Sequence, residues 1–151
     1  MYNLFVSADD EAWSGEPWQI ERSRCVREYT SDKIHEQYGS LDAAAVDHLR
    51  RLPCIFAYEA FNKIDPHFGL IRDLTIRPKE VRVDYELHPL DNFLSASQLD
   101  ELTFELDIGK WEMNRTHWAV KDVNLPTELN RKGITLPRWA SRAGPKTNLA
   151  D

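Results

Sequence analysis

Residues 68–90 read FGLIRDLTI-RPKE-VRVDYELHPL, and the fold turns on this stretch. In its second half Val81, Val83, Tyr85 and Leu87 alternate with Arg82, Asp84, Glu86 and His88. A period of two with one apolar face and one charged face predicts a half-buried strand, and the RPKE turn joins it to the preceding run as an antiparallel hairpin. Just upstream, CIFAYEA (54–60) is apolar without alternation, as a strand covered on both faces would be. The chain opens on YNLFVS (2–7), a further strand, and Trp18–Ser23 forms a short one with Trp18 and Ile20 inward.

Helical signals flank this core. Ser31 or Asp32 caps a first helix that Gly39 ends, and Ser40 is expected to cap LDAAAVDHLRRL, where Leu41, Ala45, Leu49 and Leu52 make one stripe before Pro53. Asp42 early and Arg50 and Arg51 late suit the helix dipole. Ser97 is expected to cap a turn through QLDELTF; Asn124, with Pro126 in the first turn, starts LPTELNRK, which Gly133 closes. These elements predict an α+β domain over residues 1–136: a small curved antiparallel sheet or open β-barrel with short helices packed on one side. Regular strand–helix alternation is missing, so a parallel sheet is not expected. Residues 137–151, PRWASRAGPKTNLAD, have linker composition and read as a C-terminal tail.

Composition narrows the function classes. The length of 151 residues suits one core. No apolar run is long enough for a bilayer span and the N-terminus lacks a signal peptide's basic start, so no membrane partner is expected and the expected compartment is the cytoplasm. The net charge of −6 is uneven, with ten acids against four bases in residues 1–48 and three against seven in residues 114–151. Cys25 and Cys54 sit among apolar residues and read as buried free thiols. The five histidines show no metal spacing, the glycines form no phosphate cradle, and no nucleophile elbow occurs, so neither metal nor cofactor is expected. Cys54 heads an apolar strand, which argues against pairing it with His117 as nucleophile and base. Glu59 and Asp73 are the acids to inspect for burial. With no catalytic constellation in view, the sequence favours a binding module over an enzyme.

Candidate ligand contacts concentrate in WEMNRTHWAV (111–120). On a helix, Trp111, Asn114, Arg115 and Trp118 share one face; on a strand, charged and apolar residues mix on both faces. Either way the pattern conflicts with a simple amphipathic element. Indoles offer stacking faces, Arg115 a planar fork for phosphate or carboxylate, and His117 a group that titrates near neutrality; the same residues also suit a core edge with Arg115 stacked on a ring. In the DPHFG turn, His67 is a further candidate.

Three phrases, MYNLFVSADDEAW, RLPCIFAYEAFNKIDPHFGLIRDL and NRTHWAVKDVNL, resemble an N-terminal accessory domain of bacterial proteins whose C-terminal half is often a TIR domain of the antiphage-defence kind. The likeness spans about residues 1–136 and implies a sensor or interaction domain that regulates a fused or associated effector. No TIR sequence lies in these residues, and no catalytic set transfers to them. A fainter likeness to PUA-like and EVE-like modules implies a reader of nucleic acid or a nucleotide, with Trp18, Trp111 or Trp118 stacking on a base.

Overall fold

In the computed structural model, which describes residues 1–142, the alternating segments become six strands: β1 (Tyr2–Ser7), β2 (Trp18–Glu21), β3 (Cys54–Tyr58), β4 (His67–Ile76), β5 (Glu80–Leu87) and β6 (His117–Lys121). Five short helices accompany them: α1 (Asp32–Tyr38), α2 (Ala43–Leu49), α3 (Ala96–Glu101), α4 (Leu125–Asn130) and α5 (Arg138–Arg142). The strands form one open sheet in the order β2-β5-β4-β3-β1-β6, and the domain is α+β. The hairpin is present as read, with Val83 opposite Leu74 and Tyr85 opposite Ile71; a bulge between Ile71 and Asp73 lets the ladder skip Arg72.

One pairing departs from expectation. β1 and β3 run parallel, Phe5 beside Phe56 and Ser7 beside Tyr58, whereas every other ladder is antiparallel. The crossover includes α1 and α2 but also β2, which leaves for the far edge of the sheet. That detour hides the strand–helix–strand rhythm by which parallel pairs are recognised in a sequence.

The helices also divide between the two faces rather than gathering on one. On the first face Phe5, Phe56 and Trp118 meet Ile34 and Tyr38 of α1 and Ala45 and Leu49 of α2. On the second, Leu4, Val6, Ile55 and Phe68 meet Leu99 of α3, Leu125 and Leu129 of α4 and Ala140 of α5. The reason lies in β1 and β3, all of whose residues are buried: a strand apolar on both sides needs a layer on each. Phe5 anchors the first layer, 5.1 Å centroid to centroid from both Phe56 and Trp118 and edge-on to Trp13 and Trp18.

Local signals place most helix ends, with shifts of register. Ser31 caps α1 and Asn124 caps α4 as expected. At α2 the cap is Asp42, not Ser40, because Leu41 turns into the left-handed region (φ 55°) to bury its side chain before the helix starts. At α3 the cap is Ser95, not Ser97: its hydroxyl takes the Gln98 N–H while the Gln98 amide oxygen takes the Ser95 N–H, satisfying two otherwise unpaired donors. The packed structure continues past Leu136. Trp139 stacks on Phe68 at 5.4 Å and Ala140 is buried, so α5 joins the second layer through these two residues despite the linker composition of the stretch. The remainder of the expected tail, 143–151, lies outside the described residues.

Candidate functional site

The segment 111–121 is neither one helix nor one strand. A 3-10 turn at Glu112–Asn114 gives way at Arg115 to β6, and this break separates the residues that a helical face would have gathered. Trp111 is 63% exposed, with the Lys110 ammonium 5.0 Å from its ring centre. Trp118 is buried in the first layer, its Nε1 donating to Asn3 Oδ1 at 2.9 Å. Arg115 spends its fork on Glu28, through Nε at 2.8 Å and Nη2 at 2.7 Å, and this pairing draws the Glu28 carboxyl below its ordinary range. Asn114 is exposed beside it. Trp18 lies half-buried against Phe5 and Trp13, and His67 sits in the hairpin's first strand with Nε2 3.1 Å from the Tyr58 hydroxyl. The seven sequence candidates therefore do not converge on one site.

What the segment does contain is a buried ionic cluster. Glu112 and His117 are fully buried and Lys121 nearly so. Glu112 accepts from His117 Nε2 at 2.7 Å, from Lys121 Nζ at 2.8 Å and from the Gly109 N–H at 2.9 Å. Lys121 also donates to the Tyr29 carbonyl at 2.6 Å, and His117 Nδ1 lies 2.6 Å from the Arg115 carbonyl. Both nitrogens of the buried imidazole are thus engaged, one by a carboxylate and one by a backbone carbonyl. The Tyr29 ring packs tilted against the His117 ring, 5.3 Å between centroids. The cluster fastens the loop before β6 to the sheet and borders none of the clefts described below. Glu112 and Lys121 escape a sequence reading because charged residues default to the surface. The usable signal was the even spacing of His117 and Lys121, which puts both on one face of a strand.

Concave surface lies instead where β1 and β3 end side by side. After Ser7 and Tyr58 the chain turns outward, and the exits are tied together: Glu59 N–H donates to the Ser7 carbonyl at 2.8 Å, Ala8 N–H to Thr116 Oγ1 at 3.0 Å, and the Thr116 hydroxyl to Glu59 Oε2 at 2.6 Å. A cleft of about 540 Å³ opens here between residues 58–65, the start of α3 and Met113. Asp65 Oδ1 accepts the Ala96 N–H at 2.8 Å, bracing the cleft's two walls. A second cleft, about 660 Å³, lies on the other side of Tyr58 within the loop Asp9–Trp18, and Trp18 and Trp13 line it. The Tyr58 hydroxyl stands between them, donating to the Ala12 carbonyl at 2.9 Å. Its one proton so used, it accepts from His67 Nε2; burial holds that imidazole below its usual pKa.

The volume of the first cleft falls in the range of small-ligand sites. Burial pushes the Cys25 and Cys54 thiols up to about 12, and Cys54 faces the first layer while His117 faces the second, so the two cannot pair. Asp73 is exposed and binds the neighbouring Leu74 N–H. Among the described residues no group of three His, Cys, Asp or Glu is placed to hold a metal, and no helix is long and apolar enough to cross a membrane. The chain is thus an α+β open-sheet domain with two clefts at the carboxyl ends of its central parallel pair. Comparison with protein-family models, with curated proteins and with solved structures finds no match.

Proposed function

We propose that this chain is a non-enzymatic sensor or interaction domain, acting in the cytoplasm, whose first cleft takes a ligand and thereby controls an effector joined to it or associated with it. The observation that carries this reading is the make-up of the cleft. Glu59 and Asp65 are already braced by a hydroxyl and a backbone amide, and neither cysteine reaches the cleft with a lowered pKa. The likeness to accessory domains of TIR proteins makes a TIR-type effector in bacterial defence the first partner to test.

The test fills the cleft without disturbing the core. Ser97 is exposed on the first turn of α3 and lines the cleft, and it does not cap the helix. Ser97→Trp, in cells carrying the chain with its effector, is expected to abolish effector triggering on phage challenge while the melting temperature of the chain is unchanged. Triggering at the wild-type level would refute the reading. The alternative, a PUA- or EVE-like reader of nucleic acid or a nucleotide, draws on Trp111, exposed with Lys110 beside its ring. Against it stand Asp9, Asp10, Glu11 and Glu16 around the second cleft, whose charge opposes a phosphate backbone.

A further inference from the structure

The proposed ligand site has a charge and a shape that narrow the ligand, and this inference rests on the reading above. Three carboxylates line the first cleft, Glu59, Asp65 and Asp100, against one ammonium, Lys63. Glu59 and Asp65 each commit one oxygen to the protein and keep the other uncommitted, and Asp100 has no hydrogen-bond partner among the described residues. The second cleft, across Tyr58, adds four more acids and no base. Between the carboxylates the lining is apolar, with Ile64, Leu99 and the thioether of Met113. Met113 rides on the 3-10 turn that Glu112 pins, so an adaptable side chain sits on a fixed support.

Carboxylates held in place beside an apolar lining suit a cation that carries its own hydrocarbon. The carboxylate oxygens accept from an ammonium or guanidinium head, and the stem lies on Ile64, Leu99 and Met113. An anion meets net repulsion in the same space. We propose that the first cleft binds an alkylammonium or alkylguanidinium group, as presented by a free polyamine or by a lysine or arginine side chain of another polypeptide.

Calorimetric titration of the whole chain tests this with cadaverine, agmatine and a short lysine-bearing peptide, with glutarate as the anion of matching length. One-to-one binding of at least one cation is expected, with none of glutarate. Asp100→Asn, on an exposed position of α3, and Glu59→Gln, whose amide oxygen still accepts from Thr116, should each weaken it about tenfold. Whether the free diamine or the peptide binds tighter identifies the source of the group, and either result supports the proposal. Glutarate binding as well as cadaverine, affinities unchanged in both variants, or no binding of any cation would overturn it. Failure here with a trigger-dead Ser97→Trp leaves the cleft a recognition site for another chemistry. A normal Ser97→Trp removes the recognition reading itself.

Discussion

Replacing Glu112 by alanine strips the one carboxylate from the buried cluster and leaves the Lys121 ammonium without a counter-charge, with His117 Nε2 and the Gly109 N–H unpaired. All three side chains are shielded from water, at 0%, 0% and 3% exposure, so solvent offers little screening. Breaking a buried ion pair from one side costs about 3–5 kcal/mol. In a chain of this length each kcal/mol moves the melting temperature by about 2–4 °C, so Glu112→Ala should melt roughly 6–20 °C lower. Glu112→Gln keeps an acceptor and the volume but loses the charge, and is expected to lose about 1–3 kcal/mol. The triple variant E112M/H117L/K121M replaces the whole cluster by apolar side chains and should recover more than about 1 kcal/mol of the Glu112→Ala loss, remaining below wild type because the Gly109 N–H and the Tyr29 and Arg115 carbonyls lose their partners. Urea unfolding gives these differences from midpoints at constant slope. A Glu112→Ala loss below about 1 kcal/mol, or a triple variant no better than the single one, would refute the idea of a dry, mutually dependent cluster.

Two further outcomes follow from burial. Cys25 and Cys54, with thiols pushed up to about 12, should not react with a disulfide reagent at mildly alkaline pH, and both should react once the chain is unfolded in denaturant; rapid labelling of the native protein contradicts this. His48 and His67 are both held below the ordinary imidazole pKa, chiefly by burial, and His48 Nε2 has no hydrogen-bond partner among the described residues. The unfolded chain therefore takes up these protons first, near pH ~6.5, and the stability the two groups contribute is present above that value and lost as pH falls below it. Relative to H48F/H67Q, wild type should lose stability between pH about 7 and about 5.5 in urea melts; a constant difference refutes the assignment.

The elements most legible in the sequence were those governed by neighbours in the chain. The hairpin follows from strict alternation over residues 81–87, and α4 from Asn124, Pro126 and Gly133. The Ser95–Gln98 box was equally local, but Ser97 stood closer to the apolar run and masked it. What neighbours could not show was partnership over distance. The parallel pairing of β1 with β3 depends on where β2 goes, and the division of helices between two layers depends on which strands end up central. Trp139 in a proline-flanked stretch looked like linker because its partner, Phe68, is seventy-one positions away. The cleft assembles Glu59 and Asp65, Asp100 and Met113 from three separate segments, none with a motif of its own. The stretch that did stand out, 111–121, was unusual for a structural reason: it buries Glu112, His117 and Lys121 together, where the sequence suggested ligand contacts or a core edge.

The position of β1 has a consequence for the nascent chain. It is the first of the six strands to be synthesised, yet its two neighbours are β3 and β6, and its Tyr2 must wait for Lys121. Until β6 leaves the ribosome, an apolar ribbon with one unsatisfied backbone edge is exposed in the cell, the state that invites capture by holdase chaperones or misassembly with another emerging copy. Completion of this sheet is therefore coupled to the end of translation of the domain, and sequence-distant closure of this kind belongs to the slow end of folding for chains of its size.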